Sequence, residues 1–361
     1  MLTAEYTAKG LSVAAIGLIF PARAIGGILG NLLAGFGSDM RGRTRLVWLS
    51  ALGLAASLTF VALATPWLLF LIALIAVGAA QGGLSTGINA MIADVNRTAR
   101  ARALNNLHAI YGLGAALSPL IFGYLLEGEL PWRWALGGTA LIWLLYGLGA
   151  NRLDRAKTNV RQTERREPLN LRILRSPPIL SLFAIAFIYN GVAYSLLGWI
   201  TLFMQETIGF SIFASVSTIS IFYVGLTAGR FVCAAYTERI GYANMLLILA
   251  GGIALTYPLV VASTNPALVV GGVFLTGLSV SGLFPIAMAY GSRLYPEQSG
   301  TLSGTLNVAM ALGAMIPPLW TGLVASIWSF QVALALNYGM VLALLLIVPY
   351  LKQIEAPQGE Q

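Results

Sequence analysis

Long apolar stretches separated by short polar ones run along the whole chain. Each is long enough to cross a hydrocarbon layer roughly 30 Å thick as a helix. Eleven such stretches lie at 12–37, 46–65, 67–93, 103–126, 133–150, 178–204, 211–236, 243–262, 266–292, 301–325 and 328–351. Strands of a membrane barrel would alternate polar and apolar residues over about 10 positions, and no stretch does so. The pattern predicts an all-α integral membrane protein with eleven transmembrane helices.

The composition supports lipid as the solvent of this chain. Hydrophobic residues make up 58% of the 361 positions, and charged residues make up 9%. Soluble domains carry about 25% charged residues. One cysteine, Cys233, rules out a disulfide framework or a cysteine-based metal site within the chain.

The positive charges are distributed unevenly between the polar connections. The net charge of +8 would be compatible with nucleic acid, but 17 of the 21 lysines and arginines fall in one alternate set of connections. This is the positive-inside bias, which makes that set cytoplasmic. We therefore expect no nucleic-acid partner and a multi-pass protein of the cell (inner) membrane. Its N-terminus lies outside and its C-terminus lies in the cytoplasm.

The two halves of the chain repeat at a constant offset of 199 residues. The matched pairs include Gly26 with Gly225, Gly30 with Gly229, Asp39 with Glu238, Gly78 with Gly277, Gly83 with Gly282, Pro119 with Pro318 and Gly123 with Gly322. We predict two homologous halves related by an axis along the membrane normal. They are 1–150 and 178–351, joined by a basic cytoplasmic linker at 151–177 and followed by a cytoplasmic tail at 352–361.

The same offset has a consequence for the beginning of the chain. Met1 corresponds to Ile200, which lies near the end of the span 178–204. The repeat therefore predicts a further helix before Met1, which would be the first of twelve.

The turn "GNLLAGFGSDMRGRTRL" resembles the loop signature of the major facilitator superfamily, and "GRFVCAAYTERIG" resembles a degenerate second copy. Glycines at GxxxG spacing allow close helix approach, and an acid near basic residues can form a conformation-dependent bridge. The resemblance implies that the gating residues are Gly26, Gly30, Asp39, Arg43, Gly225, Gly229, Arg230 and Glu238. The alternative is that the charges only set topology.

Three further stretches resemble the sugar-permease branch that contains fucose permease and sodium-glucose-transporter relatives. They are "LNNLHAIYGLGAALSPL", "SGLFPIAMAYGSRLYPEQSGTLSG" and "FIYNGVAYSLLGW". The chain departs from proton-coupled members of the superfamily, since Ser85 and Ala193 stand where many carry an acid. None of its thirteen acids falls mid-span, so a coupling ion, H+ or Na+, is not identified.

The resemblance implies that the fourth, seventh and tenth helices line the substrate path. In the fourth helix, Gln81, Ser85 and Asn89 recur every four residues and share a face. Interhelical hydrogen bonding is the alternative role for them. The other candidate substrate-binding residues are His108, Tyr111, Asn190, Tyr194, Trp199 and Phe284. Trp199 either stacks on a sugar ring or belongs to the interfacial aromatic belt.

Arg23 is the most unusual single residue, because it lies in the middle of a span. It follows the start of that span by about 16 Å at 1.5 Å per residue, and an unpaired arginine at that depth is costly. Because Gly26 and Gly30 follow at i+3 and i+7, we expect Arg23 on the packed face. Its partner would be a carboxylate on the preceding helix, an anionic substrate or backbone carbonyls.

No catalytic or cofactor motif is supported. "GLSTG" at 83–87 fits G-x-S-x-G, but it lies inside a helical span without the preceding strand that a nucleophile elbow needs. The sequence predicts a monomeric secondary transporter, without cofactor or enzymatic activity, that moves a sugar or sugar derivative by alternating access. The alternatives are a drug or organic-anion transporter of the same superfamily, and a non-transporting or truncated membrane protein.

Overall fold

The computed structural model describes residues 10–41, 43–95, 100–154 and 175–355. Within these ranges the chain is helical, without strands. In the first half of the sequence the helices are α1 (Val13–Ile16), α2 (Ile19–Arg41), α3 (Arg43–Leu63), α4 (Trp67–Val95), α5 (Arg100–Glu127) and α6 (Trp132–Asp154).

The second half contributes α7 (Pro177–Phe203), a π-helical turn (Met204–Ile208), α8 (Ile212–Ile240), α9 (Tyr242–Val261), α10 (Pro266–Val280) and α11 (Leu283–Leu294). A 3₁₀ turn (Pro296–Gln298) then leads into α12 (Ser299–Ile327), α13 (Phe330–Leu336) and α14 (Tyr338–Glu355).

The helices confirm the membrane-spanning pattern that hydropathy predicts. Ten helical stretches in the described ranges are long and apolar enough to cross a membrane. The remaining predicted span, 133–150, lies within α6, which is not among these ten. The chain is therefore a multi-pass membrane protein.

Two spans are interrupted where a proline removes a helical hydrogen bond. Pro21 has no N–H to donate to the carbonyl of Gly17, and the chain breaks there between α1 and α2. Pro285 likewise has no N–H to donate to the carbonyl of Ser281, and the chain breaks there between α10 and α11.

The chain forms two compact units. The N-terminal unit comprises Leu18–Tyr111 and Tyr124–Arg166, and the C-terminal unit comprises Met1–Gly17, Gly112–Gly123 and Glu167–Gln361. Helix α1 belongs to the second of these because it packs against α12. The predicted halves, 1–150 and 178–351, stay a prediction.

Inside the N-terminal unit, glycines bring α2 and α4 into backbone contact. A Cβ on Gly26 would overlap the carbonyl of Ile75, and a Cβ on Gly30 would overlap the backbone of Ala79. From the other side, a Cβ on Gly78 would overlap the carbonyl of Arg23. The close approach expected from the GxxxG spacing is present.

We call such a line of backbone contacts between two helices a glycine seam, and the C-terminal unit contains an equivalent one between α8 and α10. A Cβ on Gly225 would overlap the carbonyl of Phe274, and a Cβ on Gly229 would overlap that of Leu278. From the other side, a Cβ on Gly277 would overlap the carbonyl of Phe222. Each glycine and each partner stands 199 positions after its equivalent in the first seam. The sequence repeat is therefore a repeat of backbone contacts.

Candidate functional site

A polar face on α4 interrupts an otherwise apolar span. Gln81 and Asn89 are half-buried and Ser85 is exposed. Asn89 Nδ2 lies 3.5 Å from Ser85 Oγ, which is a long hydrogen bond. Asn89 Oδ1 is buried and accepts no hydrogen bond from the described residues. The protein therefore uses only part of the hydrogen-bonding capacity of this face.

Arg23 reaches this face from α2. Its Nε donates a hydrogen bond to Gln81 Oε1 at 3.1 Å. The backbone of Arg23 lies in the glycine seam, where its carbonyl faces Gly78. Its side chain is exposed, so only the backbone follows the expectation of a packed position. The partner is a side-chain amide, which was not among the three partners expected.

A second polar link between α2 and α4 was not predicted. Thr86 Oγ1 donates to Asn31 Oδ1 at 2.9 Å. Asn31 follows Arg23 by eight residues, which places both on one side of α2. That spacing was the available signal in the sequence. Together the two hydrogen bonds join α2 to α4 on the polar side of the seam.

The candidates on α7 lie in the C-terminal unit and contact its helices. Asn190 is 6% exposed, and its Nδ2 donates to the carbonyl of Met310 at 2.7 Å. Trp199 is fully buried, and its Nε1 donates to the carbonyl of Pro318 at 2.8 Å. Its ring also lies 5.5 Å from that of Phe330. This burial favours packing over both roles expected of Trp199. Tyr194 is half-buried.

The remaining substrate-binding candidates are Tyr111, Phe284 and His108. Tyr111 is exposed and is the last residue of the first segment, Leu18–Tyr111, of the N-terminal unit. Phe284, on α11, stacks on Tyr189 with ring centroids 6.2 Å apart. His108 lies on α5, but its side chain is outside the described residues.

The second copy of the loop signature forms a small polar cluster. Tyr242 donates its hydroxyl proton to Glu238 Oε1 at 2.6 Å, and the guanidinium of Arg293 lies 5.9 Å from the centroid of the Tyr242 ring. Tyr242 also stacks on Tyr290 at 5.9 Å. Tyr242 and Arg293 were not predicted. They join the turn between α8 and α9 to α11.

Among the other gating candidates, Arg230 is half-buried on α8. The side chains of Asp39 and Arg43 lie outside the described residues. Within the described ranges, no three histidine, cysteine, aspartate or glutamate side chains are placed to hold a metal ion. A gating role for the predicted residues stays a prediction.

The chain matches a known protein family along its whole length. The family model described as Major Facilitator Superfamily matches residues 1–261 and 218–361. Two solved structures give the fold alone. A mutant of the nucleoside transporter NupG is 13% identical, with a TM-score of 0.81 over 97% of this chain and 93% of that one. A bacterial homolog of the human lysosomal transporter Spinster is 14% identical, with a TM-score of 0.73 over 98% and 91%.

Three relatives from Bacillus subtilis (strain 168) are similar in sequence. The uncharacterized MFS-type transporter YfkL is 25% identical over 90% of this chain and 83% of its own. The glucose/mannose transporter GlcP is 24% identical over 69% of this chain and 63% of its own. The hexuronate transporter is 24% identical over 95% of this chain and 87% of its own.

Proposed function

The chain belongs to the major facilitator superfamily and is a small-solute transporter, and from this premise we propose that its substrate is a sugar or sugar derivative. The polar face of α4 carries the proposal. Gln81, Ser85 and Asn89 offer amide and hydroxyl groups inside an apolar span, where each polar group needs a partner. Sugar hydroxyls both donate and accept hydrogen bonds, and so they suit such a face.

The similarity to GlcP and to the hexuronate transporter supports this substrate class. So do the three sequence stretches that resemble the sugar-permease branch. The protein would act as a monomer by alternating access between its two homologous halves. We place it in the inner membrane with a cytoplasmic C-terminus and leave the coupling ion, H+ or Na+, to experiment. The helix before Met1 stays a prediction from the repeat.

We expect Asn89→Leu to reduce sugar uptake into proteoliposomes about tenfold. The change removes hydrogen-bonding groups from the polar face, and a net loss of about 1–3 kcal/mol per unsatisfied partner corresponds to this scale. Uptake is measured with a panel of radiolabelled hexoses and hexose derivatives.

Thr139→Val is the matched control, since Thr139 Oγ1 bonds to the carbonyl of Ala135 on its own helix. Uptake of drugs or organic anions without any sugar would reject the sugar proposal in favour of the other transporter class. If the wild-type protein takes up no compound of any class, the non-transporting alternative stands.

Tyr242→Phe tests the gating proposal at the second loop signature. The variant loses the hydrogen bond to Glu238, which is exposed and contributes about 1 kcal/mol to the conformation that contains it. We expect the maximal transport rate to change roughly fivefold while KM for the substrate changes little. Tyr350→Phe, on an exposed tyrosine of α14, is the control. A changed KM at an unchanged maximal rate would assign Tyr242 to substrate binding instead.

A further inference from the structure

We infer that Arg23 and Gln81 form a subsite for the carboxylate of an acidic sugar. The inference rests on the proposed function, because it names the substrate class of the same polar face. It goes beyond that function by assigning to the preferred substrate a negative charge as well as hydroxyls.

The hydrogen bonding of Arg23 leaves its charge available. Nε is used by Gln81, and no other hydrogen bond or ion pair joins this guanidinium to a residue that the structure describes. A guanidinium carries five N–H donors in a planar fork. Because the bond to Gln81 fixes the plane through Nε, the terminal nitrogens keep the pair of parallel donors that binds a carboxylate in bidentate fashion.

The internal repeat shows that the scaffold does not need this pair. At an offset of 199 residues, Arg23 corresponds to Phe222 and Gln81 corresponds to Val280. Both of these are fully buried and apolar, yet the carbonyl of Phe222 meets Gly277 as that of Arg23 meets Gly78. The backbone seam therefore forms equally well without a cation. The cation and its amide partner are a specific feature of the N-terminal seam.

An unpaired charge at the depth of Arg23 is energetically unfavourable. It lies ten residues after the start of the span Val13–Ala34, or about 15 Å along a helix. This is roughly the middle of the hydrocarbon layer. Snorkelling to the interface is available to long side chains near helix ends, and Arg23 is at neither end. An anion bound at this depth offsets the cost of placing the guanidinium there.

The neighbouring groups specify what else the ligand carries. Ser85 and Asn89 follow Gln81 on the same face of α4 at about 6 and 12 Å along the helix axis. An anion bound at Arg23 therefore projects the rest of its molecule along hydroxyl- and amide-bearing positions. A carboxylate attached to a polyhydroxylated ring satisfies both parts of the face.

The test compares each acid with its neutral counterpart in the full chain. Uptake and thermal stabilisation are measured with glucuronate against glucose, and with galacturonate against galactose. We expect Arg23→Gln to lower the uptake of the acids about 10- to 100-fold, and to lower by the same factor their affinity as measured by thermal stabilisation. The uptake and affinity of the neutral sugars should change less than twofold. Arg23→Lys keeps the charge but loses the fork, so its loss is intermediate. Gln81→Leu, which frees the guanidinium plane, is expected to lower the response to the acids more than the response to the neutral sugars.

Arg133→Gln is the charge-matched control, because Arg133 stacks on Trp132 at the beginning of α6 and is expected to behave as wild type. Size-exclusion profiles establish that each variant is folded. If Arg23→Gln misfolds, Arg23→Lys and Gln81→Leu decide the matter by their acid-to-neutral ratios.

The inference is overturned if the wild type responds only to neutral sugars, which would leave the proposed function standing. It is also overturned if the folded variants lose acids and neutral sugars equally, as expected when Arg23 instead balances an acidic side chain of the protein. A wild type that responds to neither acid nor neutral sugar rejects both proposals. Stabilisation by the acids without uptake of any sugar would support the subsite and reject transport.

Discussion

Replacing Gly30 by alanine is expected to destabilise the protein by about 3 kcal/mol or more. The added Cβ would overlap the carbonyl and Cα of Ala79, which are backbone atoms and cannot rotate away. Helices α2 and α4 must therefore separate along their seam, at the upper end of the range for overpacking. At roughly 2–4 °C per kcal/mol, we expect the Tm of the purified protein to fall by roughly 6–12 °C.

Substitutions at two other glycines make this prediction specific. Gly138→Ala is the matched control, because Gly138 lies on a helix of the same unit and its Cβ would meet no atom within 4 Å. Gly229→Ala should be as harmful as Gly30→Ala, since its Cβ would overlap the carbonyl of Leu278 in the equivalent seam. Equal melting temperatures for Gly30→Ala and Gly138→Ala would show that the seam does not hold the two helices together.

The sequence contained enough information to predict the glycines of this seam, though not which helix they meet. Hydropathy gave the spans, because the bilayer imposes one length on every helix that crosses it. The offset of 199 residues then predicted equivalent glycines, and the structure places Gly26 with Gly225 and Gly30 with Gly229 in equivalent contacts. Both signals are local or periodic, and so they can be read along a single chain.

The side-chain pairs of the site could not be predicted in the same way. Arg23 and Gln81 were each singled out, but their hydrogen bond depends on the register of α2 against α4. That register follows from which glycine meets which carbonyl. For the same reason the bond between Asn31 and Thr86 was missed. Hydrogen bonds across parallel helices are set by packing, which no spacing within one helix specifies.

Trp199 shows a second limit, which concerns the direction in which a side chain points. Its position near the end of a span fitted an interfacial belt or a sugar-stacking surface. The structure instead buries the ring completely and pairs its N–H with the carbonyl of Pro318. An amphipathic side chain such as tryptophan is compatible with all three environments. The neighbours contributed by α12 and α13 decide between them.

Trp199→Ala is therefore expected to act on stability rather than on substrate affinity. Removing a fully buried tryptophan costs about 3–5 kcal/mol through the cavity that remains, which corresponds to a Tm lower by roughly 6–20 °C. Trp199→Phe keeps most of the ring but leaves the Pro318 carbonyl without this donor, at about 1–3 kcal/mol. Differential scanning fluorimetry measures both, and uptake kinetics give KM.

Trp328→Ala is the control for the loss of an indole, because Trp328 is 66% exposed and its removal creates no cavity. We expect its Tm to match that of the wild type. The order of Tm values should be wild type, then Trp199→Phe, then Trp199→Ala, with KM for the substrate within about twofold of wild type for every variant that stays folded. An unchanged Tm for Trp199→Ala together with a raised KM would instead place this ring at the substrate, in a conformation where α7 and α12 no longer enclose it.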